Sequence, residues 1–139
     1  MDKEKYNSEG YYDPTCYEAL SNIAKEEIRK FRPIVYICSP YSGDVERNII
    51  NARRYARFAV DKGMIPIAPH LMFPQFMDDR NEAERDLAMF MDLALLSKCA
   101  EIWVFGSRIS KGMSIEIQKA QARNQPIRHF TANCEEEVI

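Results

Sequence analysis

The run Ile34-Val35-Tyr36-Ile37-Cys38 constrains the fold of this chain more than any other stretch. It follows Pro33, is apolar at every position, is rich in β-branched residues, and ends at a hydroxyl-rich turn, Ser39-Pro40-Tyr41-Ser42-Gly43-Asp44. A strand that is apolar throughout is covered on both faces, which is the situation inside a parallel sheet sandwiched between helices. Glu101-Ile102-Trp103-Val104-Phe105 predicts a second strand of this buried kind. Met64-Ile65-Pro66-Ile67-Ala68 predicts a third, pushed towards a sheet edge by Pro66. Pro126-Ile127-Arg128-His129-Phe130 predicts a short fourth strand.

Helical periodicity fills the intervals. Thr15-Cys16-Tyr17-Glu18 has the spacing of a capping box and predicts a helix to about Phe31. Ile49, Ala52, Ala56, Ala59 and Val60 share one face of a helix that Lys62-Gly63 should stop. A third helix is predicted from about Asn81 to Lys98. Its middle, Leu87 to Leu96, is apolar nearly all round, which implies burial on several sides or a subunit contact. A fourth begins at Ser110, with Met113, Ile117 and Ala120 in period. Strand and helix in alternation predict an α/β fold: a single Rossmann-like domain with a parallel sheet of four or five strands, the Tyr36 strand central, flanked by helices. Residues 1–31 read as an N-terminal extension and helix, 32–130 as the α/β domain, and 131–139 as a solvated acidic tail.

With 139 residues the chain has room for one core, and 46% apolar with 29% charged residues is ordinary globular composition. A formal net charge of −2 argues against a nucleic-acid surface. No apolar run is long enough to span a bilayer, and the polar start Met1-Asp2-Lys3-Glu4-Lys5 is not a signal peptide, so a cytoplasmic protein with no membrane partner is expected. Cys16, Cys38, Cys99 and Cys134 are scattered and only His70 and His129 accompany them, so no metal site is expected; Cys38 and Cys99 read as reduced core residues.

The turns Ser39–Gly43 and Gly106–Gly112, together with His70, fall where the strands end at their C-terminal edge, the usual ligand side of such sheets. Ser110 and Gly112 sit at a strand-to-helix turn whose free N–H groups favour an anion. Glu116 lies one turn further on. A capping box would need Ser or Thr where Met113 stands, so capping does not explain it, although complementing the helix dipole would. Asp92 lies inside an apolar stretch and must be hydrogen-bonded or held against a pocket, since burial without partners is costly. Tyr36 is either core or a strand-end tyrosine with its hydroxyl in the pocket. His70 is either a packed loop histidine or a pocket group. There is no Gly-x-Gly-x-x-Gly and no Gly-Lys-Ser/Thr, so neither a dinucleotide fingerprint nor a P-loop is present. Two hydroxyl-bearing turns suit one small phosphate or a ribose, or serve only as helix caps.

Taken together, Val35-Tyr36-Ile37-Cys38-Ser39, Asp92-Leu93 and Ser110-x-Gly112-x-Ser114-x-Glu116 resemble the nucleoside 2-deoxyribosyltransferase superfamily. The closer resemblance is to uncharacterised, partly phage-borne branches with a Cys-Asp-x-x-x-x-Phe-Gly-x-x-x-Ser-x-Gly-Met-x-x-Glu-Ile type of run, matched here from Phe105 to Ile117. The likeness covers about Arg32 to Phe130. It implies that Glu116 is the nucleophile or cation stabiliser at the anomeric carbon, and that Tyr36 and Asp92 position it. The transferases carry a base-binding aspartate where this chain has Ser110; a serine there is similar to the 2′-deoxynucleoside 5′-phosphate N-hydrolases, where it helps to bind phosphate. The chain departs from the relatives at Glu101, where aspartate is usual, and from the N-hydrolases in the loop Pro40 to Gly43.

The resemblance therefore implies cleavage or transfer of the N-glycosidic bond of a nucleoside 5′-monophosphate or related nucleotide, a hydrolase or transferase reaction needing no cofactor. The expected catalytic residues are Glu116, Tyr36 and Asp92. The expected substrate-binding residues are Ser39, Ser42, Gly43, Arg47, His70, Ser110, Gly112, Met113 and Ser114. Relatives pair, so a homodimer or higher homo-oligomer is expected, with a contact at Leu87–Leu96. The alternatives are a non-catalytic nucleotide-binding or sequestering protein, and an interaction module that uses the Leu87–Leu96 helix only for assembly.

Overall fold

The structure is a computed structural model that describes residues 22–138. The chain divides into two compact units, residues 1–31 and 32–139. In the first, helix α1 spans Asn22–Arg29. The Thr15 capping box lies outside the described residues.

The second unit is a five-stranded sheet. Its elements in chain order are β1 (Ile34–Cys38), α2 (Val45–Asp61), β2 (Ile65–Ile67), two 3₁₀ turns (Pro69–Leu71 and Phe73–Gln75), α3 (Glu82–Leu96), β3 (Glu101–Phe105), α4 (Lys111–Ala122), β4 (Ile127–Phe130) and β5 (Glu136–Glu137). The strand order is β2-β1-β3-β4-β5. β1 pairs in parallel with β2 and β3, and β3 with β4, while β5 runs antiparallel to β4. The α/β architecture and its parallel sheet thus stand as read from the sequence. Pro66 lies in the edge strand β2, where its missing N–H costs least. β1 is an interior strand, but the middle position belongs to β3, because β4 and β5 extend the sheet on the far side.

Side-chain alternation along the strands splits the core into two layers. Val35, Ile37, Trp103, Phe105 and Phe130 pack with Tyr55 and Ala59 of α2. Phe105 stacks on Tyr55 at 4.2 Å and on Phe130 at 4.9 Å between centroids. On the opposite face Tyr36, Cys38, Ile102 and Val104 pack with Leu96 of α3 and with Met113 and Ala120 of α4. Cys38 and Cys99 are free and buried. The helices end as their sequences dictate: Asp44 caps α2, Asn81 caps α3, Ser110 caps α4, and Gly63 at φ +84° takes the left-handed conformation that follows the end of α2.

Two segments differ from expectation. The Pro69–Pro74 loop is two 3₁₀ turns, each with its proline in the first turn, where a missing N–H is harmless. The acidic tail keeps exposed side chains, yet its backbone pairs at Glu136–Glu137, and Arg128 grips Glu136 through two bonds of 2.8 and 2.7 Å. The departure at Glu101 has a structural use: its carboxylate accepts the Trp103 indole N–H at 2.7 Å and lies 3.6 Å from Arg128.

Candidate active site

Because β1 is followed by α2 on one face and β3 by α4 on the other, the C-terminal strand edge opens on both sides of the sheet. On the α3/α4 side lies a cavity of about 550 Å³, and Tyr36, Asp92 and Glu116 all line it. Glu116 is only 8% exposed. The Tyr36 hydroxyl donates to its Oε2 at 2.6 Å, joining β1 to α4 across 80 residues. The Cys38 thiol, two residues along the same face, lies beside the same carboxylate and 4.0 Å from the Met113 carbonyl. Burial pushes the Glu116 carboxyl above its usual range, while the Tyr36 and Cys38 donors pull it back towards the carboxylate. Burial, and then the charge of Glu116, drives the Tyr36 phenol far upward, so it remains a donor.

Asp92 comes from α3. Its Oδ1 is buried and has no hydrogen-bond partner among the described residues. Burial, and then the Glu116 charge, raise its carboxyl to about 7. Two neighbouring carboxyl groups are thereby separated: Glu116 has donors to keep it ionised, and Asp92 is left holding a proton near neutrality. Such a division marks a nucleophile and acid pair in many enzymes.

On the β1 side of the cavity, Ser39 Oγ lies 2.8 Å from His70 Nε2. Burial lowers His70 to about 4, so its ring is neutral at physiological pH. Ser42, Ser110, Gly112 and Met113 also line the cavity. The Ser110 hydroxyl accepts the Met113 N–H at 3.2 Å and so serves as the α4 cap. Three of the sequence-predicted binding residues lie elsewhere. Ser114 is two residues from Glu116, hence on another face of α4, and accepts from Gln118 at 3.2 Å. Arg47 is exposed on α2 and Gly43 forms the preceding turn, neither lining the cavity.

Some of the cavity lining gave no signal in the sequence. Tyr41, Phe73 and Met77 supply its apolar wall. Asp78, Asp79, Glu82, Glu84 and Asp86 form an acidic rim against Arg85 and Lys111. Asp79-Arg80-Asn81-Glu82 is legible as a helix cap, and nothing in that pattern says which way the carboxylates face. Across the sheet, a second cavity of about 170 Å³ is lined by Asn48, Asn51, Tyr55, Ser107 and Arg108, and shares Ser39 with the first. Among the described residues no group of three or more His, Cys, Asp or Glu is placed to hold a metal ion, and no helix is long and apolar enough to cross a membrane.

Residues 33–130 match a family described as a domain of unknown function, DUF7768. The chain belongs to that family. The match spans every element that builds the site, from Pro33 before β1 to the last residue of β4. No curated protein matches the DUF7768 chain. Among solved structures, it is similar to the 2-deoxyribosyltransferase from the psychrotolerant bacterium Bacillus psychrosaccharolyticus, with a TM-score of 0.56, 16% identity and 76% of each chain covered. At that identity the likeness establishes a shared fold, that of the nucleoside deoxyribosyltransferases.

The Asp92 shift has a consequence for the stability of the DUF7768 domain. With a folded value near 7 against an unfolded value near 3.8, the native state holds more protons between those limits. Stability should therefore fall as pH rises from about 4 to about 7, and level off outside that window. Asp92→Asn removes this cost. Urea midpoints measured from pH 4 to pH 8 should show the variant gaining on wild type as pH rises; parallel profiles would contradict the assignment.

Proposed function

We propose that this protein cleaves or transfers the N-glycosidic bond of a nucleoside 5′-monophosphate or related nucleotide, with Glu116 as nucleophile. The observation that carries the proposal is the buried Glu116 carboxylate held by the Tyr36 hydroxyl at 2.6 Å, beside a raised Asp92, under a cavity. The deoxyribosyltransferase fold supports it, as does the cavity's size, which suits a nucleoside-sized ligand.

The residues divide the reaction between them. Breaking the bond between the base nitrogen and the anomeric carbon leaves positive charge on the sugar and an electron pair on the base. Asp92, protonated near neutrality, gives its proton to the departing base. The Glu116 carboxylate bonds to the anomeric carbon or stabilises its charge. Water then displaces Glu116 and returns a proton to Asp92, or a second base does so in transfer. The Tyr36 hydroxyl, with the Cys38 thiol beside it, holds the Glu116 carboxylate in place for this step. Ser39, paired with His70, and Ser42 bring the first hydroxyl-bearing turn read from the sequence to this cavity, and Ser110 brings the second.

The test is incubation with a panel of nucleosides and nucleoside 5′-monophosphates, followed by chromatography of free base. Wild type should release base, and Glu116→Ala should reduce release by about three or more orders of magnitude while nucleotide binding persists. Binding without release in wild type would leave a sequestering protein instead.

The proposal includes self-association. Leu87 is 47% and Phe90 70% exposed on α3, an apolar strip of the kind that marks contacts between subunits. Sedimentation at micromolar concentration should give a dimer or larger assembly, and a monomer would count against it.

A further inference from the structure

The two cavities at the strand edge differ sharply in charge. Five acidic side chains of residues 78–86, with Asp92 and Glu116, line the large one against Arg85 and Lys111. That rim is a poor place for a dianion. The small cavity has no Asp or Glu in its lining, and Arg108 is its cation.

Arg108 is placed for more than solubility. It lies in the loop between β3 and α4, while a Cβ at Gly43, in the loop between β1 and α2, would stand 3.7 Å from its Nη2. The guanidinium therefore lies across both loops at the point where the strand order reverses, with β2 on one side of β1 and β3 on the other. Ligands of open α/β sheets bind at such points. Gly43 takes φ +99°, a conformation that any side chain would strain. Arg108 has no ion pair or hydrogen bond among the described residues. Asp44, next to Gly43, turns its carboxylate to the Arg47 N–H instead.

The other groups are consistent with an anion there. Asn51 Oδ1 accepts from Arg54 at 3.2 Å, which leaves the Asn51 NH₂ free to donate. The Ser107 hydroxyl adds a second neutral donor. Asn48 spends its NH₂ on the Tyr41 and Ser42 carbonyls at 2.9 and 3.0 Å and so fixes the first loop. Ser39 borders both cavities, joining this anion-favouring space to the one that holds Glu116.

We infer that the small cavity is a phosphate-monoester subsite anchored by Arg108, which receives the 5′-phosphate of the substrate away from the acidic rim. The inference rests on the reading of the large cavity as a nucleotide site, and it moves the phosphate from Ser110, whose hydroxyl caps α4, to Arg108. A guanidinium offers two parallel N–H donors to phosphate oxygens, which a lysine cannot match.

The experiment is calorimetric titration of wild type, Arg108→Ala and Arg108→Lys with ribose 5-phosphate and with inorganic phosphate, beside steady-state base release from a nucleoside and its 5′-monophosphate. Arg108 is exposed, so both variants should keep the wild-type circular dichroism. Ribose 5-phosphate should bind wild type, weaken by about tenfold or more in Arg108→Ala, and weaken less in Arg108→Lys. KM for the nucleotide should rise in step, and the nucleotide's advantage over the nucleoside in kcat/KM should shrink. Equal affinity in wild type and Arg108→Ala, no ribose 5-phosphate binding at about 10 mM, or binding of inorganic phosphate alone would each overturn the subsite. If wild type releases no base from any substrate, the glycosidic reading fails, and the ribose 5-phosphate titrations still decide the subsite separately.

Discussion

The hydrogen bond from the Tyr36 hydroxyl to Glu116 is the contact on which the site depends. A carboxylate as buried as Glu116 cannot stay ionised without donors, and leaving it unpaired would cost about 1–3 kcal/mol or more. The donors come from β1, an element far away in sequence, so the site exists only if β1 keeps its register. Tyr36 pairs with Ile102 and Cys38 with Val104, and both side chains turn towards α4. A slip of one residue would present Val35 and Ile37 instead, neither of which can donate. The apolar packing of β1 against β3 therefore fixes the Glu116 carboxylate as well as the sheet.

The same burial that needs Tyr36 sets the character of Asp92. Among the described residues nothing bonds to its buried Oδ1, which is a cost to stability. Cores seldom keep such groups without a use, and a carboxyl raised to about 7 can both give and take a proton near neutrality. Around this centre the charges are sorted: acidic on the rim of the large cavity, with Arg108 alone in the small one.

Much of the fold was legible because its signals are local. β1 and β3 are continuous apolar runs, Gly63 stops a helix, and Ser110 caps one. Glu116 stood out because Met113 leaves no capping box to explain it. What escaped depends on contacts between distant parts of the chain. β5 pairs with β4 across the turn at Thr131–Glu135, with Arg128 on Glu136, and its two residues carry no strand pattern of their own. The places of Gly43, Arg47 and Ser114 turned on which way helix faces and turns point, which spacing alone gives only coarsely. Arg108 looks like any loop arginine until Gly43 is seen beneath it.

Carbon-13 NMR titration of the side-chain carboxyls tests the central claim most directly, that Glu116 and Asp92 titrate apart because the Tyr36 hydroxyl donates to Glu116 alone. In wild type the Asp92 carboxyl should titrate near 7, and Glu116 above the ordinary glutamate range. In Tyr36→Phe, with one donor gone, Glu116 should move higher still. Both carboxyls titrating near 4 in wild type, or a Glu116 indifferent to loss of the Tyr36 hydroxyl, would contradict the account.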